Sequence, residues 1–185
     1  MRFKPIEKPS SWLLRMAYAM SRRQFGKVIT PLNVIYARLP HSLWLGRAVQ
    51  KFLTTPGPLD PGLKELVLAL VANINKCEFC IDISRARVEK NGALFAKLDR
   101  LLDFRNAAVF TEKEKAVLAY AEELTKVRRV SDKTFADIAM HCSENEIVDV
   151  AFACAVESFY NVLSIGTGIE SDGLCALDRK SARGA

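Results

Sequence analysis

Cys77 and Cys80 stand three residues apart in "NKCEFCIDISRARVEKNG" (75–92), the only closely spaced cysteine pair in this 185-residue chain. Three residues is nearly one helical turn, so two sulfurs at a helix start can close a disulfide. The free amides and the helix dipole there stabilise a thiolate, which lowers its pKa and makes it nucleophilic. An attacking thiolate then has its resolving partner in place. The same spacing also fits half of a zinc site, or two small apolar residues that merely pack. Zinc needs two further ligands. The chain has only His41 and His141 and no second CxxC, and the adjacent His141–Cys142 are poorly placed to reach one ion together.

Glu65 is the second residue of interest, early in the apolar stretch "GLKELVLALVANIN" that leads into the pair. A buried carboxylate is costly unless used or satisfied, whereas an exposed one in the first turns favours the dipole. Composition leaves both readings open. Ser84 lies one turn beyond Cys80, and Arg87 shares roughly a face with Cys80, where its charge could lower the thiol pKa.

The elements that position these residues read as helices. Residues 11–25 place Trp12, Leu13, Met16, Ala17 and Met20 at helical spacing, and "SLWLGRAVQKFL" (42–53) is a second amphipathic segment with Ser42 as a possible cap. Pro31 and Pro40 bracket "LNVIYARL", and "TTPGPLDPG" breaks the chain. Asp60–Pro61 is a strong helix start, and the helix it opens is apolar nearly all round, hence a core helix. A helix over Cys77–Lys90 is expected to end at a left-handed Asn91-Gly92 stop. "TEKE" (111–114) and "SENE" (143–146) are capping boxes, "SDKTFADIAMH" forms a short helix, and "GTGIESDG" closes the last long one. No strand alternation, βαβ rhythm or internal repeat is evident, so the expected fold is all-α, a single-domain bundle of seven or eight helices. Residues 1–58 are expected to form an N-terminal helical extension packed on the rest of one domain spanning 1–185.

A chain of this length can bury roughly 70% of its unfolded surface. The net charge is +6, yet 27 Lys and Arg are scattered among 21 acidic residues. No nucleic-acid motif accompanies them, so a solvated surface and no nucleic-acid partner are expected. No uninterrupted apolar run approaches the ~20 residues of a membrane span, and Arg15 interrupts the N-terminal stretch, so no membrane partner and a cytoplasmic location are expected. Five cysteines are an odd number, which disfavours a secreted disulfide framework. Cys142, Cys154 and Cys175 stand alone, and Cys154 in "VAFACAVESFY" reads as a small core residue. Only the end, "DRKSARGA", has a composition that suggests disorder.

The stretch "KELVLALVANINKCEFCIDISRA" resembles the signature of the carboxymuconolactone decarboxylase-like superfamily, in its alkylhydroperoxidase AhpD-like branch. That pattern is a glutamate, a cysteine twelve positions later opening CxxC, and a histidine four residues after the second cysteine. Glu65, Cys77 and Cys80 fall on it in register. The resemblance covers 60–92 and, more weakly, 143–170, where Asn161 matches the first residue of a common Asn-Arg pair. It implies an all-helical protein that assembles as a dimer, trimer or hexamer and reduces a peroxide or disulfide without a resident cofactor or metal. By the family's scheme Cys80 attacks, Glu65 helps remove its proton and Cys77 resolves, and a lipoyl group or dithiol protein supplies electrons. The departure is Ser84, which stands where the family has its relay histidine, with Phe79 at a position often His or Tyr. Serine is not a base near neutral pH. Ser84 is at most a relay substitute, and the departure weakens the case for fast peroxide reduction more than for disulfide exchange.

Two other readings compete. One is a non-redox oligomeric protein that binds an apolar ligand among Phe79, Phe95 and Phe104. The other is lactone decarboxylase chemistry, disfavoured by a shortage of acid–base groups.

Overall fold

The computed structural model describes residues 2–175, and the segment "DRKSARGA" lies outside them. Among the described residues the chain is all-helical, with eight α-helices: α1 (Trp12–Phe25), α2 (Leu43–Thr54), α3 (Pro61–Ile74), α4 (Glu78–Val88), α5 (Gly92–Asp99), α6 (Glu112–Val127), α7 (Asp132–His141) and α8 (Glu144–Thr167). A π-helical turn (Leu32–Tyr36) and a 3-10 turn (Pro40–Ser42) join α1 to α2.

α3 is the axis of the fold, packed by α4, α6 and α8. Leu66 to Ala72 are buried in an unbroken run, as an all-round apolar helix requires. Asp60 opens it by accepting the amide of Leu63 at 2.9 Å, with Pro61 in the first turn. Both capping boxes form, Thr111 with Glu114 and Ser143 with Glu146. Lys113 also reaches Glu146, and these bonds hold the Glu146 carboxyl down to about 2. α8 ends at Gly168, which is left-handed at φ +68°. It is one helix long and apolar enough to cross a membrane, yet more than half of its apolar window is buried against the protein, chiefly α3 and α6.

Several local expectations give way. Ser42 does not cap α2; its hydroxyl donates back to the carbonyl of Leu39 at 2.7 Å. Asn91-Gly92 is a start rather than a left-handed stop, because Asn91 has φ −105° and its side chain accepts the amide of Leu94 to open α5. In α1 the buried face is Leu14, Tyr18 and Ser21, whereas Trp12, Met16 and Met20 point outward.

Candidate functional site

α4 begins where α3 ends, across a turn of three residues. Lys76 takes the left-handed conformation at φ 57°, and Cys77 sits at the N-cap with its amide bonded back to the carbonyl of Ala72 at 3.0 Å. This reversal brings the first turn of α4 against the C-terminal half of α3. Cys77 and Cys80 are joined there by a disulfide, with Cα atoms 5.2 Å apart. Both are buried, in an apolar cluster with Val34, Ala72, Phe79, Ile169 and Leu174. The last two belong to the segment after α8. Asp82 ties that segment down, because its carboxylate accepts the amides of Leu174 and Cys175 and the hydroxyl of Ser171.

Residues 80, 84 and 87 recur at i, i+4 and i+7, so Cys80, Ser84 and Arg87 share one face of α4. Ser84 is buried, and its Oγ has no hydrogen-bond partner. Arg87 Nη1 lies 3.6 Å from Glu65 Oε2 on α3. That separation is a charge pair rather than a hydrogen bond, and Glu65 Oε2 is buried without one. The open question over Glu65 therefore resolves toward the interior: its oxygen is inside the protein and Arg87 is its charge partner. Arg87 is not a free surface arginine.

Glu157 on α8 was not singled out by sequence, and it is the most perturbed carboxyl of the group. Its side chain is buried and accepts from Asn161 Nδ2 at 2.6 Å, while Asn161 Oδ1 accepts from Asn75 Nδ2 at 2.8 Å. A chain of hydrogen bonds thus runs from the turn before Cys77 to Glu157. Burial pushes the Glu157 carboxyl up to about 7; Arg87 and the Asn161 bond pull down and the Glu65 charge pushes up. Tyr160, half-buried one turn short of Ser164, donates to the carbonyl of Gly46 at 3.2 Å, and burial raises its hydroxyl well above the ordinary range. The signal for Glu157 was in the sequence: "AVESFYN" puts one carboxylate in an apolar helix with Asn161 four residues on, the same kind of signal that marked Glu65.

Other candidates stand elsewhere. His41 is exposed in the turn before α2, and His141 is exposed at the end of α7. Phe104 belongs to the separate core around α3 and α6, and Phe95 lies under the guanidinium of Arg85 at 4.4 Å, so the three phenylalanines do not line one pocket. Surface hollows of about 490 and 370 Å³ take no residue from α4. Cys154 is a core residue, as expected, with its thiol pushed up by burial to about 12.

This geometry can be set beside known proteins. Residues 41–123 match the carboxymuconolactone decarboxylase family. The YnjA protein of Escherichia coli (strain K12) is 27% identical over 177 residues, 95% of this chain and 93% of its own length. The fold is similar to that of a peroxidase-related protein with an alkylhydroperoxidase AhpD core from Ralstonia eutropha JMP134, at a TM-score of 0.77 and 18% identity over 94% of each chain. It is also similar to the debrominase Bmp8, at a TM-score of 0.78 and 16% identity over 92% of each chain. The matched segment contains Glu65, Cys77, Cys80, Ser84 and Arg87, and the helical fold around it is shared over nearly the whole length. Residues 41–123, which carry Glu65, Cys77 and Cys80, thus match the carboxymuconolactone decarboxylase family, within a helical fold similar to that of the AhpD-core protein.

Proposed function

We propose that this protein is a thiol–disulfide oxidoreductase of the alkylhydroperoxidase-like kind, with Cys80 as nucleophile, Cys77 as resolving cysteine and Glu65 assisting. The observation that carries the reading is the closed Cys77–Cys80 disulfide at the N-terminus of α4, on the face that also bears the Arg87–Glu65 pair. In the dithiol form the Cys80 thiol loses its proton, and the amides of the first turn favour the resulting thiolate. With a hydroperoxide, Cys80 takes the outer oxygen and becomes a sulfenic acid while alkoxide leaves and is protonated to the alcohol. Cys77 then attacks the Cys80 sulfur; a disulfide forms and water leaves. With a disulfide substrate, Cys80 forms a mixed disulfide and releases one thiolate, and Cys77 displaces the second. Either way the protein loses two electrons, which a dithiol protein or lipoyl group must return.

A cytoplasmic location would keep such a pair cycling, since thiol reductants are available there. Homo-oligomerisation would cover the outer face of α8, where Val148, Val162 and Ile165 are exposed.

The test is turnover of a hydroperoxide and of a small disulfide with dithiol reductant, in the wild type and in Cys80→Ser and Cys77→Ser. Cys80→Ser should abolish both reactions. Cys77→Ser should stop at a trapped mixed disulfide or sulfenic acid. Unchanged turnover in Cys80→Ser would sink the reading, and so would loss of two thiols on oxidation without a Cys77–Cys80 bridge.

A further inference from the structure

The reading above leaves a gap in proton handling, because serine stands where a base is needed. Three observations locate what fills it. Two buried polar atoms, Ser84 Oγ and Glu65 Oε2, have no hydrogen-bond partner, on the facing sides of α4 and α3. The Asn75–Asn161–Glu157 chain fixes a buried carboxyl relative to the turn that carries Cys77. Arg87 acts on both carboxyls, 3.6 Å from Glu65 and close enough to Glu157 to lower its affinity for a proton.

We propose that Glu157 is the second station of a carboxyl proton relay, Cys80 to Glu65 to Glu157, taking the place of the base that position 84 lacks. This inference rests on the dithiol reading. The Cys80 thiol passes its proton to the Glu65 carboxylate and becomes the thiolate. Glu65 passes the proton to Glu157 and returns to its carboxylate form beside Arg87. The proton finally returns by the same path, from Glu157 to Glu65 and on to the alkoxide or thiolate leaving Cys80, so each turnover moves one proton and creates no net charge. Arg87 holds the single negative charge that the two carboxyls share at the midpoint. The Glu157 carboxyl ionises at about 7, where an acid–base group serves best at neutral pH.

The groups that face Glu157 are few. α4 supplies Arg87 and α3 supplies Glu65. Its own helix supplies Asn161, Tyr160 and Cys154, with Tyr36 of the π turn beyond Tyr160. α6 places Tyr120 and Thr125 beside Cys154. Tyr160, Tyr36 and Tyr120 are raised above their ordinary value and Cys154 lies near 12, so none of these four changes charge near neutrality.

Glu157→Gln keeps the shape and cannot ionise. The experiment is the pH profile of turnover from about pH 5.5 to 8.5, with a matching infrared titration of the protonated carboxyl band. The wild type should show a rise through an ionisation near 7, and a carboxyl band that fades over the same range. Glu157→Gln should lose both, with turnover at pH 7 falling roughly tenfold. Asn161→Ala supplies a second variant. It removes a bond that favours the ionised form, so the same step should move to higher pH. If the wild type turns over and either folded variant keeps the wild-type profile, the relay is wrong while the dithiol reading stands. If the wild type fails to turn over either substrate at any pH, the dithiol reading itself fails.

Discussion

Lys64 and Glu65 are neighbours on α3, and each sends a charge into the protein toward α8, with opposite outcomes. Successive residues diverge by about 100° around a helix, so the two side chains enter different interfaces. Lys64 Nζ meets Asp149 Oδ1 at 2.9 Å, both side chains almost wholly buried, and lies 5.0 Å from the centre of the Phe52 ring. Asp149 Oδ2 also accepts the amide of Leu59 at 3.1 Å. The space is so closed that a Cβ on Gly57 would come within 2.6 Å of Asp149 Oδ2. Glu65 instead stands 3.6 Å from Arg87, keeps a buried oxygen without a hydrogen bond, and shares its cation with Glu157. In one cluster a single cation faces a single carboxylate in a closed space, although Asp149 Oδ1, like Glu65 Oε2, is buried without a hydrogen-bond partner. The other sets two carboxyls, Glu65 and Glu157, against one cation, Arg87. The structural pair is balanced one charge to one, whereas the candidate site carries one carboxyl more than its cation can neutralise, a surplus that a proton can complete.

The sharpest way to break that contrast is to remove one cation from each cluster. Lys64→Met strands Asp149 in the interior and should cost about 3–5 kcal/mol in urea unfolding. Arg87→Gln removes a partly exposed cation and should cost under about 1 kcal/mol. It should instead move the Glu157 ionisation above about 7, because Arg87 is the charge that holds it down. Equal stability losses would erase the distinction between the clusters.

The second cut is through pH. Glu157 binds its proton more tightly when folded, at about 7 against 4.5 unfolded. Its contribution to stability is therefore fully present below about pH 4.5 and lost as pH rises through about 7. The loss is on the order of 3 kcal/mol at most. Glu157→Gln should flatten the fall in urea midpoint over that window, leaving the variant at least as stable as the wild type at pH 8. A wild-type stability that rises with pH between 5 and 7, with no change in the variant, would show that the carboxyl is not buried as described. Gly57→Ala comes next. It presses on the closed cluster and should cost about 1–3 kcal/mol by overpacking, without moving the pH profile of turnover.

The asymmetry between the clusters also explains what sequence could reveal. Features written in a few adjacent residues were legible: Asp60–Pro61 opening α3, the boxes at Thr111 and Ser143, and the turn that closes α8 at Gly168. Asn91-Gly92 misled because the same dipeptide can end one helix or cap the next, and only the start of α5 decides. The closed cluster was invisible because Lys64 reads as a solvated lysine until Asp149, 85 positions away, is brought to it. Glu157 lay between these cases. Its apolar setting marked it locally, but Arg87 and Asn75 become its neighbours only when α3, α4 and α8 pack.

The smallest expected effect concerns Ser84, and its sign carries the information. In the disulfide form the hydroxyl is buried with nothing to bond, a state that costs about 1–3 kcal/mol. Reduction creates an acceptor one turn away, the thiolate of Cys80, to which a serine can donate. Ser84→Ala should therefore leave the oxidised protein unharmed, or more stable by about 1 kcal/mol, and withdraw a hydrogen bond from the reduced one. The pair becomes harder to reduce, by about 20 mV for each 1 kcal/mol, readable by titration against a glutathione buffer. A shift toward easier reduction would mean that the hydroxyl serves the disulfide form. On the expected sign, serine at position 84 cannot carry a proton away, but it can hold the thiolate that remains once the carboxyls have taken it.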